Sequence, residues 1–511
     1  MADGNATLAP QARQLWWNVA TGGIFGLAAM LAAPLVGLKI SADLGNTDGR
    51  TTWLTLFAGV FLMACLFAFL LMFGPRRFSA GRGAITGILT AFFSYPVVLT
   101  LADIVHRNWG DSADLPALSE RFDNILLVTG LTLMTTGFAA TLILAAVGML
   151  AGWALSGLAP GRSALSRQPP SRPPGTLLKV TGGLAVALVA FLVGSFIWLS
   201  LLPLDTADIA LHQTAGTPAQ TYPEAIAAFE VVQAQEAKLP LHDRCHSTLL
   251  THGSKVTRVV IYFHGFTSCP AQGDELAARL FALGYNVYLP RMFGHGEADP
   301  TTMSLKDLTA EHLIDLGNSS IDMAQGLGDE VVVIGLSAGG TIASWAAQYR
   351  GDVDNAIAVS PFFGPYVAPP WANHAVTNLT LMLPNFVLWW NPLENVAPQP
   401  VDYAFALPAT HALAEIMLLG SLVDASARTT PPAAKNIGVL LNAADISVSN
   451  ALTEQVITSW QGHGTAVTVK TLSFSSHLPH DLINPRERGG DIDLVYSTLL
   501  EMMNDPGLRL R

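Results

Sequence analysis

Five long apolar runs occupy the N-terminal part of the chain, and all of them end before Asp205. A run of roughly 20 apolar residues is long enough to cross the hydrocarbon layer of a bilayer as a helix. A helix formed by any of these runs would be apolar on every face, whereas a buried helix of a soluble protein shows a polar face at helical spacing. We therefore expect five membrane-spanning helices, at 15–38, 53–73, 84–105, 125–155 and 180–202.

The composition agrees with a chain that is partly a membrane protein. Half of the 511 residues are hydrophobic and 13% are charged, whereas a soluble domain has about 25% charged residues. The formal net charge of -11 provides no general basic surface for a phosphate backbone. Nucleic acid is therefore not an expected partner.

Basic loops predict the orientation, because Lys and Arg concentrate in the short cytoplasmic loops of membrane proteins. Three arginines lie at 76, 77 and 82, after the second run, and four basic residues lie between 162 and 179, after the fourth. With five spans, the N-terminus is then cytoplasmic. Everything after about Pro203 is predicted outside the cytoplasm, in the periplasm where the cell has two membranes.

These features divide the chain into four segments. We expect a four-span membrane bundle at 1–157, a cytoplasmic linker rich in Pro and Arg at 158–179, a fifth transmembrane anchor at 180–203, and a globular domain at 204–511. The composition of the linker suits an extended segment better than a packed one.

In the globular domain, short apolar strands alternate with helical stretches. This alternation predicts a mostly parallel sheet with helices on both faces. The helices are expected at 272–283 and 304–327, among others. The strands are expected at RVVIYFHG, NVYLPR, EVVVIGLS, NAIAVSP, NIGVLLNAAD and AVTVKTLSF. Catalytic groups in such folds lie at the carboxyl ends of the strands.

Ser337 follows one of these strands, between Gly335 and Gly339. A serine hydroxyl is a weak nucleophile, and needs exposure at the edge of the sheet, a base, and donors for the oxyanion. A tight strand-to-helix turn provides the exposure and tolerates little side chain at its flanks. Ser337 is therefore the candidate nucleophile.

A second strand ends in His264-Gly265-Phe266. In an acyl-transfer site, a backbone N–H after this strand joins the N–H that follows the nucleophile to hold the oxyanion. Those donors would be the N–H groups of Phe266 and Ala338. His264 is interpreted as a hydrogen-bonding residue that shapes the loop.

An acid and a histidine should follow the serine in this order along the chain. Asp445 comes directly after the strand NIGVLLNAA, where the acid is required, whereas Asp402, Asp424 and Asp481 are interpreted as solvated surface carboxylates. For the base, the stretch FSSHLPHDLINP offers His477 and His480. Spacing alone does not separate these two histidines.

Taken together, HGFTSCP, PRMFGHGEAD, GLSAGG, AADISV and HDLINP resemble the α/β-hydrolase superfamily, and within it the branch of monoglyceride lipases and serine aminopeptidases. The resemblance covers about 251–503. It implies an α/β-hydrolase fold and a serine hydrolase of carboxylic esters, with Ser337 as nucleophile, Asp445 as acid and His480 as base, because HDLIN is similar to the His-Glu-Leu-Leu-Asn stretch of the branch. His477 stays the alternative base.

The chain departs from this branch in one loop. The branch often has a serine two residues after a Gly-His-Gly stretch, whereas Gly294-His295-Gly296 here precedes Glu297 and Ala298. This difference leaves the three candidate triad residues intact.

The expected chemistry is attack by Ser337 on an ester carbonyl, with His480 taking the proton and water releasing the acyl group. No metal and no organic cofactor is needed. A cap is expected at about 362–432, and its apolar residues, including Trp389 and Trp390, suggest an acyl pocket or contact with the bilayer. The substrate is then a small-molecule ester or a lipid, with a monoacylglycerol-like lipid as the finer hypothesis.

Other functions stay open at this point. The chain could be a membrane scaffold or transporter module whose hydrolase-like domain only binds a ligand, although such a domain has no need of a serine, an acid, a histidine and an oxyanion loop together. Peptide cleavage and acyl transfer to an acceptor other than water are alternatives within the same fold.

Cys245 and Cys269 are the two cysteines outside the predicted spans. A compartment outside the cytoplasm favours their oxidation, and a bridge would close a loop of about 25 residues. Because Cys269 lies three residues past Phe266, we expect this disulfide to tie down the oxyanion loop.

Overall fold

A computed structural model of the protein describes residues 20, 22–31, 49–72, 79–109, 138–158, 194–204, 206, 209, 216–366, 368–387, 403–405 and 407–503. They belong to two compact units that divide between Trp198 and Leu199. The first unit holds N-terminal helices, and the second holds the sheet and the helices that cover it.

The described part of the first unit is helical, with residues 22–31 followed by α1 (Gly49–Met72), α2 (Ala80–Trp109) and α3 (Phe138–Leu158). Helices α2 and α3 lie so close that a Cβ added at Gly83 or Gly148 would collide with the backbone of the opposite helix. Both glycines start a Gly-x-x-x-Gly pattern, at 83–87 and 148–152, of the kind that lets two helices approach closely.

Within the described ranges, no helix has both the length and the hydropathy that a membrane crossing requires. Parts of the predicted spans lie outside these ranges, at 15–19, 21, 32–38, 73, 125–137 and 180–193. So do residues 159–179 of the predicted linker, and Arg76 and Arg77.

The second unit is built on a seven-stranded sheet with the spatial order β1-β3-β2-β4-β5-β6-β7. Strands β2 to β7 are parallel, and β1 pairs antiparallel with β3 at one edge. In chain order the strands are β1 (Thr248–Leu250), β2 (Val256–Phe263), β3 (Asn286–Leu289), β4 (Gly328–Leu336), β5 (Asn355–Val359), β6 (Ile437–Asn442) and β7 (Val467–Leu472).

All six predicted strands are present, as β2 to β7. Alternate residues of the central strands face opposite sides of the sheet: Val259, Ile261 and Phe263 of β2 belong to one core cluster, and Val260 and Tyr262 to the other. Because both faces are buried, these strands appear in the sequence as continuous apolar runs.

Helices cover both faces of the sheet, as the prediction required. In chain order they are α4 (Tyr222–Glu236), α5 (Asp274–Ala282), α6 (Ala310–Ala324), α7 (Ala338–Tyr349), α8 (Asn373–Met382), α9 (Thr410–Ala427), α10 (Asn450–Gly462) and α11 (Ile492–Met502). Helices α5 and α11 provide buried side chains to one face, and α4, α6, α7, α9 and α10 to the other. This is an α/β-hydrolase fold.

The two predicted helices start later than expected. Pro270–Gly273 and Ser304–Asp307 are 3-10 turns, which precede α5 and α6. The break before α6 has a local cause, because the Thr309 side chain accepts a hydrogen bond from the N–H of His312 and so caps a new helix. Threonine is a favoured residue at this capping position.

The segment predicted as a cap, 362–432, has two different parts. Helix α9 occupies the second half of this segment and packs into the main core. Its residues Ile416, Leu419 and Val423 are buried in the same cluster as β2 and β4. This half therefore belongs to the helix layer, and 370–409 is what remains for a cap. Trp389 and Trp390 lie outside the described residues.

The described part of the cap is helix α8, whose amide and imidazole side chains hold the chain that enters the domain. Asn378 Nδ2 donates to the carbonyl oxygens of Leu199, at 3.0 Å, and Leu202, at 2.8 Å. His374 Nε2 donates to the same Leu202 oxygen at 2.7 Å. The end of the fifth apolar run is therefore fixed to the cap helix.

Candidate active site

Ser337 lies in the tight turn between β4 and α7, with φ 56° and ψ -113°. A positive φ is unusual for a residue other than glycine and stores strain in the backbone. Crowding explains the flanking glycines, since a Cβ at Gly335 would collide with the carbonyl of Gly339, and a Cβ at Gly339 with that of Phe263. The structure thus places Ser337 in the predicted turn.

Backbone hydrogen bonds hold this strained turn in place. The N–H of Ser337 donates to the carbonyl of Val359 at 3.0 Å, at the end of the neighbouring strand β5, and its own carbonyl accepts from the N–H of Thr341 and of Phe362. Two segments of the domain therefore fix the backbone on which the Ser337 hydroxyl is carried.

Asp445 and His480 form a hydrogen-bonded pair, with 2.6 Å between Asp445 Oδ2 and His480 Nδ1. The Asp445 side chain has no exposed surface, whereas that of His480 is 26% exposed. The other carboxylate oxygen accepts from the N–H of Ser447, at 2.8 Å, and Val448, at 3.2 Å. The imidazole is thus oriented by a carboxylate that is itself held by the backbone after β6.

This pairing involves His480 and not His477. His477 is an exposed residue in the left-handed region, with φ 47°. Its ring lies against that of Phe474, with 5.7 Å between centroids. Of the two histidines that the sequence left open, the structure brings His480 to Asp445.

The pairing lowers the pKa of Asp445 and raises that of His480, and both changes favour the charged forms of the two side chains. Burial raises the pKa of Asp445, but the charge and hydrogen bond of His480 and two backbone N–H groups bring it below its ordinary value. Burial lowers the pKa of His480, but the Asp445 carboxylate outweighs this and raises it above the ordinary 6.5. The carboxylate therefore favours a proton on this imidazole.

The predicted oxyanion loop follows β2 and lies beside Ser337. A Cβ added at Gly265 would be 3.8 Å from Ser337 Cβ, and Phe266 is the next residue. Ala338 is the first residue of α7, where backbone N–H groups have no acceptor within the helix. The structure therefore brings the two predicted donor residues close to the nucleophile turn.

His264 shapes this loop, as predicted. Its Nδ1 donates to the carbonyl of Gly265 at 2.8 Å, and its Nε2 accepts from the N–H of Met292 at 3.1 Å. Burial lowers its pKa to about 4. A neutral imidazole with both nitrogens bonded to the backbone is a structural element of the loop and not a base.

The predicted disulfide between Cys245 and Cys269 is present and buried, with 5.3 Å between the Cα atoms. The carbonyl of Cys269 accepts the N–H of Gln272 at 3.0 Å. The bridge fixes the start of the 3-10 turn that follows the oxyanion loop.

One interpretation of the sequence is wrong. Asp481 is not a solvated carboxylate, because its Oδ2 accepts from Gln272 Nε2 at 2.8 Å and its Oδ1 from the N–H of Ile483 and Asn484, both at 3.1 Å. Burial raises its pKa. Neither Asp481 nor Gln272 was recognised from the sequence, although the position of Asp481 directly after a candidate base was a signal. Asp402 lies outside the described residues, and Asp424 pairs with Arg428 on α9.

Comparison with known proteins covers the segment that carries this candidate site. Residues 254–482 match the model of the family described as serine aminopeptidase, S33. No curated protein is significantly similar to the chain. The matched segment contains the Ser337 turn, the oxyanion loop and the Asp445–His480 pair, and it identifies the second unit as a serine hydrolase.

Solved structures that match this chain include lipolytic enzymes. A metagenome-derived lipolytic enzyme is 16% identical with a TM-score of 0.40, over 51% of this chain and 98% of that one. The monoacylglycerol lipase of Paleococcus ferrophilus is 15% identical with a TM-score of 0.38, over 50% and 96%. A monoglyceride lipase of Saccharomyces cerevisiae, in a soluble variant, is 13% identical with a TM-score of 0.39, over 50% and 90%.

Proposed function

We propose that the protein hydrolyses carboxylic esters with Ser337 as nucleophile, His480 as general base and Asp445 as the acid that orients it. The observation that carries the proposal is the 2.6 Å hydrogen bond between Asp445 and His480 on a domain whose strained turn presents a serine. The order Ser337, Asp445, His480 along the chain is the order this fold requires.

In the first step, Ser337 attacks the ester carbonyl and His480 Nε2 takes the hydroxyl proton. Asp445 keeps the other proton on Nδ1 and stabilises the imidazolium that forms. His480 then gives its proton to the departing alcohol, which leaves an acyl-enzyme. Water, deprotonated by the same imidazole, releases the acid and regenerates the serine.

The tetrahedral intermediates carry a negative charge on the former carbonyl oxygen. The N–H groups of Phe266 and Ala338 would donate to this oxygen, and such a donor typically contributes about 10²–10³ in kcat. The mechanism uses only side chains and backbone groups of this chain, and it needs no metal or organic cofactor.

We further propose that the substrate is a lipid ester. Large apolar side chains are exposed in the segments that follow strands β3, β5, β6 and β7, and the carboxyl ends of parallel strands meet at one edge of a sheet. We call this set the apolar rim: Phe293, Met303, Tyr366, Trp371, Ile446 and Phe474. A rim of this kind around a hydrolytic site suits a substrate presented by a lipid surface.

We propose the bilayer as the partner of this rim, because the cap helix α8 is held against the end of the fifth apolar run. Exposed Trp371 lies in the turn just before α8, and exposed Met382 is the last residue of α8. This helix binds the carbonyls of Leu199 and Leu202, where the fifth apolar run ends. A chain that leaves the membrane at Leu202 would hold the cap close to the lipid surface.

We also propose that the five apolar runs anchor the protein in a membrane, with the N-terminus in the cytoplasm and the hydrolase domain outside. The support comes from the length of the runs, from the basic loops and from the Gly-x-x-x-Gly contact between α2 and α3, a packing frequent in membranes. The Cys245–Cys269 disulfide agrees with an oxidising compartment.

Labelling with a fluorophosphonate, followed by hydrolysis of p-nitrophenyl esters of increasing chain length, tests the proposed reaction. Detergent-solubilised protein should be labelled and should prefer the longer acyl chains, and Ser337→Ala should abolish both labelling and turnover while expression is unchanged. Labelling that persists in the variant would remove Ser337 from the mechanism.

The same assay separates the alternatives. A non-catalytic scaffold or transporter module would show neither labelling nor turnover. A peptidase would be labelled but would cleave aminoacyl p-nitroanilides faster than esters, and an acyltransferase would consume the ester only when an acceptor alcohol is added.

A further inference from the structure

Gln272 connects two loops of the candidate active site through one buried amide group. Its side chain is 3% exposed and lies in the turn that follows Cys269. Oε1 accepts from the N–H of Gly265 and from the hydroxyl of Tyr262, both at 2.8 Å. Nε2 donates to Asp481 Oδ2, also at 2.8 Å.

The two loops carry different parts of the proposed machinery. Gly265 directly precedes Phe266 in the oxyanion loop and lies against Ser337. Asp481 directly follows His480, and its other oxygen accepts from the N–H of Ile483 and Asn484. A displacement of the amide would therefore move the oxyanion donors and the base relative to each other.

A glutamine fits this place because its two partners have opposite requirements. Gly265 N–H needs an acceptor, whereas the Asp481 carboxylate needs a donor, and an amide supplies both within one planar group. An apolar side chain of the same size would leave buried polar groups without partners on both loops.

We propose that Gln272 is a positioning residue for ester hydrolysis, which fixes the oxyanion loop and the His480 loop at the separation that the transition state requires. This inference rests on the proposed function of the site. Gln272 touches neither Ser337 nor the substrate in this mechanism, so that it acts through Gly265 and Asp481.

The first test compares Gln272→Leu with a matched control, Gln348→Leu. Gln348 is also buried, at 4% exposure, and its amide also joins two segments, accepting from Trp460 Nε1 at 2.7 Å and donating to Thr430. Both changes remove a buried amide and should lower the melting temperature. In Gln272→Leu alone, kcat should fall by about 10²-fold, the scale of a misplaced catalytic geometry, with KM within about threefold of wild type.

The second test uses Gln272→Glu, which keeps the shape of the side chain. In this variant a carboxylate oxygen replaces the nitrogen that faces Asp481. Two carboxylates this close do not both ionise, so the hydrogen bond between residues 272 and 481 then requires a proton shared by the two groups. The charged and titratable groups near this pair are His480, Glu487 and the hydroxyls of Tyr262, Tyr403 and Tyr496. As the pH rises and the shared proton leaves, the two loops should separate, so that kcat of this variant falls at alkaline pH where the wild type stays active.

The outcomes are distinct. Equal losses of kcat in Gln272→Leu and Gln348→Leu, measured well below both melting temperatures, would show a general structural role, and an unchanged kcat or pH profile would also overturn the inference. A wild-type protein that is not labelled by fluorophosphonate would instead overturn the proposed function.

Discussion

His480 donates from Nδ1 to the Oδ2 of Asp445 across 2.6 Å, and the carboxylate that receives this bond is completely buried. Burial alone would lower the pKa of the imidazole, but the carboxylate raises it above 6.5. Since the base must be neutral to accept the Ser337 proton, kcat/KM should fall as the pH drops through a midpoint above 6.5.

Asp445→Asn should change both the rate and this pH dependence. The variant keeps the shape of the acid but removes its charge, and kcat should drop by about 10⁴-fold, as in comparable triads. With the carboxylate gone, burial still lowers the pKa of His480, so the acidic limb should move to lower pH. Rates with a short-chain p-nitrophenyl ester from pH 5 to 9 measure both effects, and an acidic limb that does not move would contradict the assigned cause.

The two histidines near the last strand give a second prediction. His480→Ala should lower kcat by several orders of magnitude, because the base and its partner act as a unit. His477→Ala should change kcat far less, since His477 is exposed and contacts Phe474. The reverse ranking in the ester assay would mean that the loop rearranges to use His477.

The sequence was sufficient to predict much of this site. The six parallel strands could be found because each is a short apolar run between helical stretches, and Ser337 and Asp445 follow from their positions directly after two of those strands. The Cys245–Cys269 pair was expected on a different ground, because these are the two cysteines outside the predicted spans and the predicted compartment favours oxidation.

The rest depends on distant segments. Gln272 and Asp481 are 209 positions apart in the chain, so neither could be recognised as one half of a bridge. The place of α9 was missed for the same reason, because its apolar residues fit a cap as well as a core, and only its contact with Phe363 and its burial in the main core cluster decide between them.

The apolar rim gives a third prediction. The double variant Trp371→Ser and Phe474→Ser, at positions that are 61% and 65% exposed, should hydrolyse a monoacylglycerol in phosphatidylcholine vesicles several-fold more slowly than wild type. Its rate with a soluble short-chain ester should be unchanged, because neither side chain belongs to the proposed triad. Val231→Ser, at an exposed position on α4, is the control. Equal rates on vesicles would contradict a lipid-contacting rim.

Reporter fusions test the orientation. Alkaline phosphatase fused after Asp205 should be active, because the basic loops place this point outside the cytoplasm, and a fusion near Arg167 should be inactive. The opposite pattern would put the hydrolase domain in the cytoplasm.

The last prediction concerns the Cys245–Cys269 bridge, which closes a segment of 24 positions beside the oxyanion loop. In the chain-entropy view, a loop of this size stabilises the folded state by about 3 kcal/mol. Cys245→Ala with Cys269→Ala should therefore lower the midpoint of chemical unfolding of the hydrolase domain, and should also lower kcat if the bridge holds Phe266 in place. Mass spectrometry of unreduced, alkylated protein provides the direct check: both cysteines alkylated without reduction would contradict the bridge, and would also remove one argument for a location outside the cytoplasm.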